Sequence, residues 1–456
     1  MNPNDSSENL KQSVRGKFVL ILLVGGCFLA LLLIWLPKVN PPVAPATPSA
    51  EASLNGISGD RKNRPAFSHR SNSHGKQTAE EKVAARLVAF DKNRREVTHR
   101  YAEKLGIEVP DDFEKFFDAA EKGDWDEINR LYKELQKKRM SLRGEEAVNF
   151  QKFLPAAQEA WGAHEAAHSW SAQALLDYGR DVLGSLRSDM VYVGGTDPGR
   201  FIPTFLNETS GSENHIVLTQ NALADGNYLN YVNFLYGDRL KTLTGEDSQS
   251  AFNEYLQGAA QRFAEGKLLP DENYKAEEGR VQVSGTVAVM AINELLLKKL
   301  QEKNPELSFG LEESFSLPST YSGAVPLGPI LELKPNSSNP QLTTALAANS
   351  LDYWRDKVGQ LNTASEPTSP PTSLAYAHMI VAQGNLFSSQ NFSTEAEQAY
   401  RLAQQLGADS VEPTSKLYDL LRRNGRTTEA DKILIQFQQT YPEKVEAMQK
   451  LINPKR

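Results

Sequence analysis

Two short motifs in this sequence place side chains of catalytic type at regular spacing. His164, Glu165 and His168 form an H-E-x-x-H pattern, and on a helix the two imidazoles lie on one face. Such a pair binds Zn²⁺ in metallopeptidases, with the glutamate as general base. A third ligand is required, and the metzincin continuation would place a histidine where this chain has Ala174. The sequence therefore favours a helix-packing pair, with a zinc metallopeptidase as a minor alternative.

The second motif is GGTDPGR at 194–200, which follows a short apolar run. Thr196 or Asp197 is suited to cap a helix whose first turn contains Pro198. A strand, a Gly-rich turn and a helix N-terminus together make a potential anion site. Arg200 is able to hold a carboxylate or phosphate in fork geometry, and Asp197 is able to bind a sugar hydroxyl, coordinate a metal or act as a base.

A similar unit recurs further along the chain. The predicted strand 215–220 ends at Gln220 and precedes the turn NALADG, which supplies Asn221 and Asp225. Ligands of parallel sheets bind beyond the carboxyl ends of the strands, where both turns would meet. The competing interpretation is structural, with threonine and aspartate capping helices and Arg200 pairing with a neighbouring carboxylate. The candidate ligand-binding residues are Thr196, Asp197, Arg200, Gln220, Asn221 and Asp225.

Neither motif supports a nucleotide cofactor. The turn GGTDPGR lacks the G-x-G-x-x-G spacing of dinucleotide-binding proteins and the lysine of the phosphate loop. We therefore predict no cofactor and assign no catalytic residue. His164 and His168 are the only metal-ligand candidates that we retain, at low rank.

Apolar periodicity predicts the elements that position these motifs. Residues 78–186 have helical spacing, strands alternate with helices from 187 to 335, and 336–372 contains one helix and a Pro/Ser-rich linker. Strand and helix alternation is typical of a mostly parallel, Rossmann-like sheet. The predicted fold class is therefore α/β with large all-α flanks. The predicted strands are Met190–Val193, His215–Gln220, Ser308–Glu312 and Pro329–Leu333.

The tail, 373–456, contains an internal repeat. STEAEQAYRLAQQLG begins at Ser393 and TTEADKILIQFQQTYP begins at Thr427, an offset of 34 residues that places Ala396 in register with Ala430. This is the period of tetratricopeptide repeats, whose helix pairs need a small residue at their closest contact. Because two repeats are too few for independent stability, we expect these tetratricopeptide-like helix pairs to dock on the α/β module.

One long apolar segment predicts the cellular location of the protein. Phe18–Leu36 has no charged residue and, as a helix, would be roughly 28 Å long, enough to cross a bilayer. Trp35 suits the interfacial aromatic belt. Lys11, Arg15 and Lys17 precede the segment, so the positive-inside rule predicts a cytoplasmic N-terminus and a single span of the inner membrane.

Two other fates of this N-terminus remain open. VAPA at 43–46 resembles a signal-peptide cleavage site, and VGGC resembles a loose lipobox that would lipidate Cys27. The favoured interpretation is an uncleaved anchor with a cytoplasmic tip at 1–17 and the bulk of the chain extracytoplasmic. Residues 37–77, which are rich in proline and serine, then form a disordered tether.

Composition excludes several classes of protein. The chain has 456 residues, a formal net charge of -7 and one cysteine. An acidic chain without a cluster of basic residues is a poor ligand for phosphate backbones, so no nucleic-acid partner is predicted. Because the sole cysteine lies in the apolar segment, the exported part has no intramolecular disulfide to stabilise it.

The module sequences also carry a resemblance. SDMVYVGGTDPGRFIPTFLNET, HIVLTQNALADGNYLNYV and VQVSGTVAVMAINELL, within Tyr178–Leu333, resemble a module of uncharacterised bacterial membrane-anchored proteins with tetratricopeptide tails. The same region is remotely similar to the soluble extracytoplasmic part of protein O-mannosyltransferase-like membrane proteins. Those proteins have many spans and carry their catalytic acid between them, whereas one span is predicted here. The resemblance therefore implies an exported α/β module and no transferase activity.

Together these patterns predict a membrane-anchored extracytoplasmic binding or scaffold protein of the cell envelope. The repeat tail would bind a protein partner, and the mouth of the sheet would bind a sugar or small polar ligand. An enzyme or accessory factor in envelope glycan chemistry, using Asp197, Arg200 and Asn221, is the alternative.

Overall fold

The N-terminal part of the chain is described only in fragments. The computed structural model describes residues 77–211, 215–269, 271–277, 280–334, 341–363 and 369–452, together with the backbone of two short paired strands, Val19–Leu22 and Leu32–Trp35. The predicted membrane helix 18–36 and tether 37–77 lie largely outside the described residues and stay predictions. Among the described residues, no helix is both long and apolar enough to cross a membrane.

The region from 79 to 183 is helical. Its first helix begins at a capping box, in which the hydroxyl of Thr78 accepts the N–H of Glu81 and the Glu81 carboxylate accepts the N–H of Thr78. Gly123 ends the second helix in the left-handed conformation, and Asp124 caps the third. The helices are α1 (Ala79–Leu105), α2 (Asp111–Lys122), α3 (Trp125–Ser141), α4 (Gly144–Gln151), α5 (Leu154–Ser169) and α6 (Ala172–Leu183).

A five-stranded sheet follows, in the spatial order β2-β1-β5-β7-β6. β1 lies between β2 and β5, and both pairings are parallel, with Val191 opposite Ile216 on one side and Phe309 on the other. β7 pairs antiparallel with β5 and with β6. The strands are β1 (Val191–Gly194), β2 (Ile216–Thr219), β5 (Phe309–Glu312), β6 (Ala324–Leu327) and β7 (Ile330–Leu333).

The sheet is therefore mixed, which corrects the prediction of a mostly parallel sheet. The difference arises at β6, a strand that the sequence analysis did not predict. Leu327 pairs with Ile330 across a two-residue turn that contains Gly328 at φ 54°. Two residues suffice for an antiparallel hairpin, whereas a parallel pair needs a long crossover.

Helices connect the strands and cover the sheet. β1 leads through α7 (Asp197–Glu208) to β2, and a short 3-10 turn at Gln220–Ala222 follows β2. The long connection from β2 to β5 includes an antiparallel hairpin that was also not predicted. Its elements are α8 (Gly226–Tyr236), α9 (Gly245–Ala264), β3 (Asn273–Glu277), β4 (Arg280–Ser284) and α10 (Thr286–Lys303).

The C-terminal part is a series of helices, each in contact with the next from α12 to α15. α13 and α15 have the same length and begin 34 residues apart, at Ser393 and Thr427, as the sequence repeat predicts. The helices are α11 (Thr344–Asn362), α12 (Pro370–Ser389), α13 (Ser393–Leu406), α14 (Val411–Arg423), α15 (Thr427–Thr440) and α16 (Val445–Ile452).

The core is divided into two clusters of buried side chains. One lies among α1 to α5, with Tyr231 of α8, and includes the fully buried Phe113, Phe116 and Phe117. The other is larger and runs without a break from the sheet into the tail helices. α12 packs on β6 and β7, and the buried amide of Gln383 donates to the carbonyls of Gly328 (2.7 Å) and Ile330 (3.2 Å). The tail helices and the module thus share one core.

Candidate functional site

The carboxyl ends of β1, β2 and β5 meet at one edge of the sheet. Connections leave β1 and β5 toward opposite sides, because β1 leads to β2 whereas β5 leads to β6 and β7. This is a topological switch point, the place where open α/β sheets bind ligands. The Gly194-Gly195-Thr196 turn follows β1 there, and Glu312 ends β5.

At this switch point the chain fills its own anion site. The carboxylate of Glu312 accepts the backbone N–H groups of Gly195 (2.7 Å) and Thr196 (2.9 Å), and the Thr196 hydroxyl donates to it at 2.6 Å. Thr196 also caps α7, since its side chain accepts the N–H of Gly199. An anion at a helix N-terminus is stabilised by free N–H groups and by the helix dipole. Here that anion is the side chain of Glu312.

The turn is shaped to this carboxylate. A Cβ added to Gly199 would lie 2.0 Å from one Glu312 oxygen, and a Cβ added to Gly195 would lie 2.2 Å from the backbone nitrogen of Ser314. Only glycine allows such close approach. Burial raises the pKa of Glu312, while the positive charge of His378 and the three donors act in the opposite direction.

Gln220 and Asn221 join the same network from β2. The buried Gln220 side chain accepts the N–H of Ser314 at 3.2 Å. Asn221 donates to the carbonyl of Gly195 at 3.1 Å and accepts the hydroxyl of Ser314 at 3.1 Å. The structure therefore brings three of the predicted site residues together, and it occupies Thr196 and Asn221 with partners from the chain itself.

The other three predicted residues lie apart from this network. Asp197 is exposed and pairs with Arg200 at 2.7 Å, and Arg200 lies over the ring of Phe201. Asp225 caps α8 by accepting the N–H of Asn227 at 2.9 Å. The structural interpretation of the caps and of the Arg200 pair thus agrees with the geometry.

Sequence analysis did not select Glu312, Glu313 or Ser314. The available signal was the pair of adjacent glutamates at the end of an apolar strand, where a buried carboxylate needs partners. Glu313 accepts the N–H of Leu317 at 3.0 Å and the hydroxyl of Tyr321 at 3.0 Å. Burial raises the pKa of Glu313 to about 8.

His378 of α12 links this edge of the sheet to the tail. Its Nε2 donates to the carbonyl of Glu313 at 2.7 Å, and its Nδ1 donates to the carboxylate of Glu412 at 2.8 Å. Both ring nitrogens are donors only in the imidazolium form. Burial lowers the pKa of His378, but the carboxylates of Glu412 and Glu312 and the hydrogen bond to the Glu313 carbonyl together raise it to about 10.

Beside this junction an open cleft of about 660 Å³ separates the module from the tail. Ser316, Pro318 and Tyr321 form its module wall, between β5 and β6. Its tail wall carries three cationic side chains and one carboxylate. These tail residues are Lys416, Asp419, Arg422 and Arg423, together with Asn385, Tyr400 and Tyr418.

The histidines of the zinc pattern are engaged elsewhere. His164 is buried, and its Nε2 lies 2.8 Å from the carboxylate of Asp91. His168 stacks on Trp125, with ring centroids 4.9 Å apart. In the part of the chain that the structure describes, no group of three or more histidine, cysteine or acidic side chains is placed to hold a metal ion.

Comparison of the chain with models of protein families, with curated proteins and with solved structures finds no match. The resemblance to membrane-anchored tetratricopeptide proteins and the remote one to O-mannosyltransferase-like proteins stay predictions.

Proposed function

We propose that the protein is a membrane-anchored, extracytoplasmic binding or scaffold protein, and that the cleft between its module and its tail binds a segment of a partner protein. The observation that carries this proposal is the grouping of Lys416, Arg422 and Arg423 on one wall of an open cleft. The apolar segment Phe18–Leu36 supports the anchor and the inner-membrane location.

The helix arrangement of the tail supports a protein ligand. α13 packs against both α12 and α14, and α12 also contacts α14. With the 34-residue offset between Ser393 and Thr427, this series supports tetratricopeptide-like packing. Solenoids of stacked helix pairs present extended surfaces for other chains. The cleft lies on such a surface, with α12, α13 and α14 all contributing to it.

The charges in the cleft favour an acidic segment. Within the described residues, Lys416 forms no ion pair within 4.0 Å, whereas Arg422 lies 3.5 Å from Asp431. Burial raises the pKa of Asp419, and the three cations outnumber this one carboxylate in the cleft. Complementary charge accelerates association and fixes the register of a bound segment. Tyr418, which is half-buried, adds aromatic surface of the kind enriched at binding interfaces.

The two alternatives have less support. A glycan enzyme using Asp197, Arg200 and Asn221 requires an accessible mouth of the sheet, but Glu312 occupies the turn and Asn221 is bonded to Gly195 and Ser314. A zinc peptidase requires three ligands, and His164 is paired with Asp91.

Site-specific photo-crosslinking tests the proposal in the full chain in its membrane. Tyr418→p-benzoylphenylalanine places the reactive group in the cleft, and the matched control, Phe263→p-benzoylphenylalanine, places it at an exposed aromatic position on α9. We expect ultraviolet light to cross-link position 418, but not position 263, to an acidic stretch of one partner. Equal cross-linking from both positions, or none from position 418, would contradict the proposal.

A further inference from the structure

A group of aromatic rings from α3, α5 and α7 reaches the surface in part, with Tyr132 and Phe201 buried. Trp125 and His168 stack with centroids 4.9 Å apart and planes 19° apart, and Tyr132 and Trp161 stack at 4.7 Å and 13°. Trp125 lies 6.4 Å from Trp161, and Phe201 packs edge-on against Trp161 at 6.2 Å. His168 is exposed and both tryptophans are half-buried. We call these five residues the aromatic platform.

Charged side chains border the platform. Glu165 lies on α5 between Trp161 and His168, at the spacing that places all three on one helix face. Arg200 lies over the Phe201 ring at 4.2 Å and holds the carboxylate of Asp197 at 2.7 Å. Burial raises the pKa of Glu165, and the nearby negative charge of Asp197 adds to that effect, so the two carboxylates lie within electrostatic reach of each other.

The guanidinium also has unused hydrogen-bonding capacity. The Nε–H of Arg200 is buried and has no hydrogen-bond partner within the described part of the chain. A buried donor without a partner is costly. Asp197 occupies only one Arg200 nitrogen and is itself mostly exposed, with 61% of its side chain accessible. The pair can therefore accept a further polar ligand without losing a buried contact.

This combination matches the chemistry of a sugar ring. The C–H face of a pyranose packs on an aromatic ring, while its hydroxyls donate to carboxylates and accept from a guanidinium. A few placed polar groups beside aromatic surface are the usual composition of a small-ligand site. A nucleic-acid strand also stacks on aromatic rings, but it needs a cationic groove, and this border has two carboxylates against one arginine.

We propose that the aromatic platform, with Glu165, Asp197 and Arg200, binds a sugar ring of an uncharged oligosaccharide. The site lies on α3, α5 and α7, whereas the tail cleft lies on α12 to α14 and the β5–β6 connection. It is independent of the protein-binding proposal, and either can fail without the other.

The test is a titration of the full-length protein, held in a detergent without a sugar headgroup, with chitotetraose and with maltotetraose. We expect saturable heat and a shift in tryptophan emission with at least one of the two sugars. His168→Ala and Asp197→Asn alter exposed side chains and should each weaken binding by about tenfold, the effect of losing one stacking or charged contact. Phe263→Ala removes an exposed aromatic ring elsewhere and should leave binding unchanged.

Three results would contradict the proposal. One is the absence of saturable binding of both tetrasaccharides up to about 10 mM, beyond the range of a specific weak site. Another is binding that both His168→Ala and Asp197→Asn leave at the wild-type affinity, because the sugar would then occupy another surface. Equal weakening by Phe263→Ala would also count against the platform.

Discussion

Thr196 donates two hydrogen bonds to Glu312, one from its backbone nitrogen at 2.9 Å and one from its hydroxyl at 2.6 Å. The two residues lie 116 positions apart and join the first turn of α7 to the end of β5. A glutamate of the chain thus occupies the position that a phosphate or carboxylate ligand takes at other helix N-termini. The turn at the mouth of the sheet is thereby filled by the chain itself.

Removing that carboxylate should destabilise the fold. Glu312→Ala leaves the N–H groups of Gly195 and Thr196 buried without their acceptor, so we expect the free energy of unfolding to fall by about 2–4 kcal/mol. Urea unfolding of the full chain measures this change in the free energy of unfolding. Glu302→Ala, at an exposed position of α10, is the control and should have little effect. A Glu312→Ala variant as stable as the control would show that these hydrogen bonds contribute little.

Two glycines at helix starts should respond differently to a methyl group. Gly199→Ala forces a Cβ to within 2.0 Å of the Glu312 carboxylate and should cost about 1–3 kcal/mol through overpacking. Gly226→Ala, in the first turn of α8, meets no atom within 4 Å. We expect that change to be neutral or to stabilise by up to about 1 kcal/mol. Thermal unfolding of both variants checks the contrast, and equal midpoints would refute the close fit of Gly199 to Glu312.

The buried Glu313 should make stability depend on pH. Its pKa in the folded protein, about 8, exceeds the ordinary value of 4.5. Its contribution to stability is therefore full below pH 4.5 and is lost as the pH rises to 8. Glu313→Gln retains an acceptor for Leu317 and a donor for Tyr321 without ionising. The free energy of unfolding, measured with urea across this pH range, should therefore fall less steeply in the variant. The total difference should be on the order of a few kcal/mol.

The matched control for that series is Glu302→Gln, which changes an exposed carboxyl by the same chemistry. It should reproduce the wild-type pH profile. Parallel profiles for Glu313→Gln and the wild type would mean that Glu313 ionises in the folded protein as it does in the unfolded chain.

Metal removal should leave the protein unchanged. His164 is bonded to Asp91 and His168 is stacked on Trp125, so neither ring is held ready for zinc. We expect purified full-length protein to contain less than stoichiometric zinc and to unfold at the same temperature with and without EDTA. Stoichiometric zinc by mass spectrometry, lost together with thermal stability on chelation, would restore the peptidase alternative.

Local sequence signals were sufficient to predict many elements of the module and the tail. The Thr196 cap with Pro198 behind it, the strands around Val191 and Ile216, and the 34-residue offset in the tail all follow from neighbouring residues, and the structure has them. Long-range partners were not predictable in the same way. No pattern near Glu312 identifies the turn at Gly195, because the two are joined only by the folding of the sheet.

The mixed arrangement of the sheet was not predictable for a similar reason. Gly328 indicates a turn, but the local sequence does not determine whether the strands beside it pair with each other or with more distant strands. The cleft could not be predicted at all, since it forms where β5–β6 residues such as Tyr321 meet Lys416 and Arg423 of a helix almost a hundred residues later.

We infer that the cationic cleft, and not the mouth of the sheet, binds the partner. The most direct measurement is the affinity of the full chain for the acidic segment identified by cross-linking, compared between Lys416→Gln/Arg423→Gln and Lys133→Gln/Lys137→Gln. The control pair removes the same charge from exposed positions of α3. We predict a loss of about tenfold for the cleft pair, reduced at high salt, and none for the control. Wild-type affinity in the cleft pair, or an equal loss in both pairs, would contradict the claim.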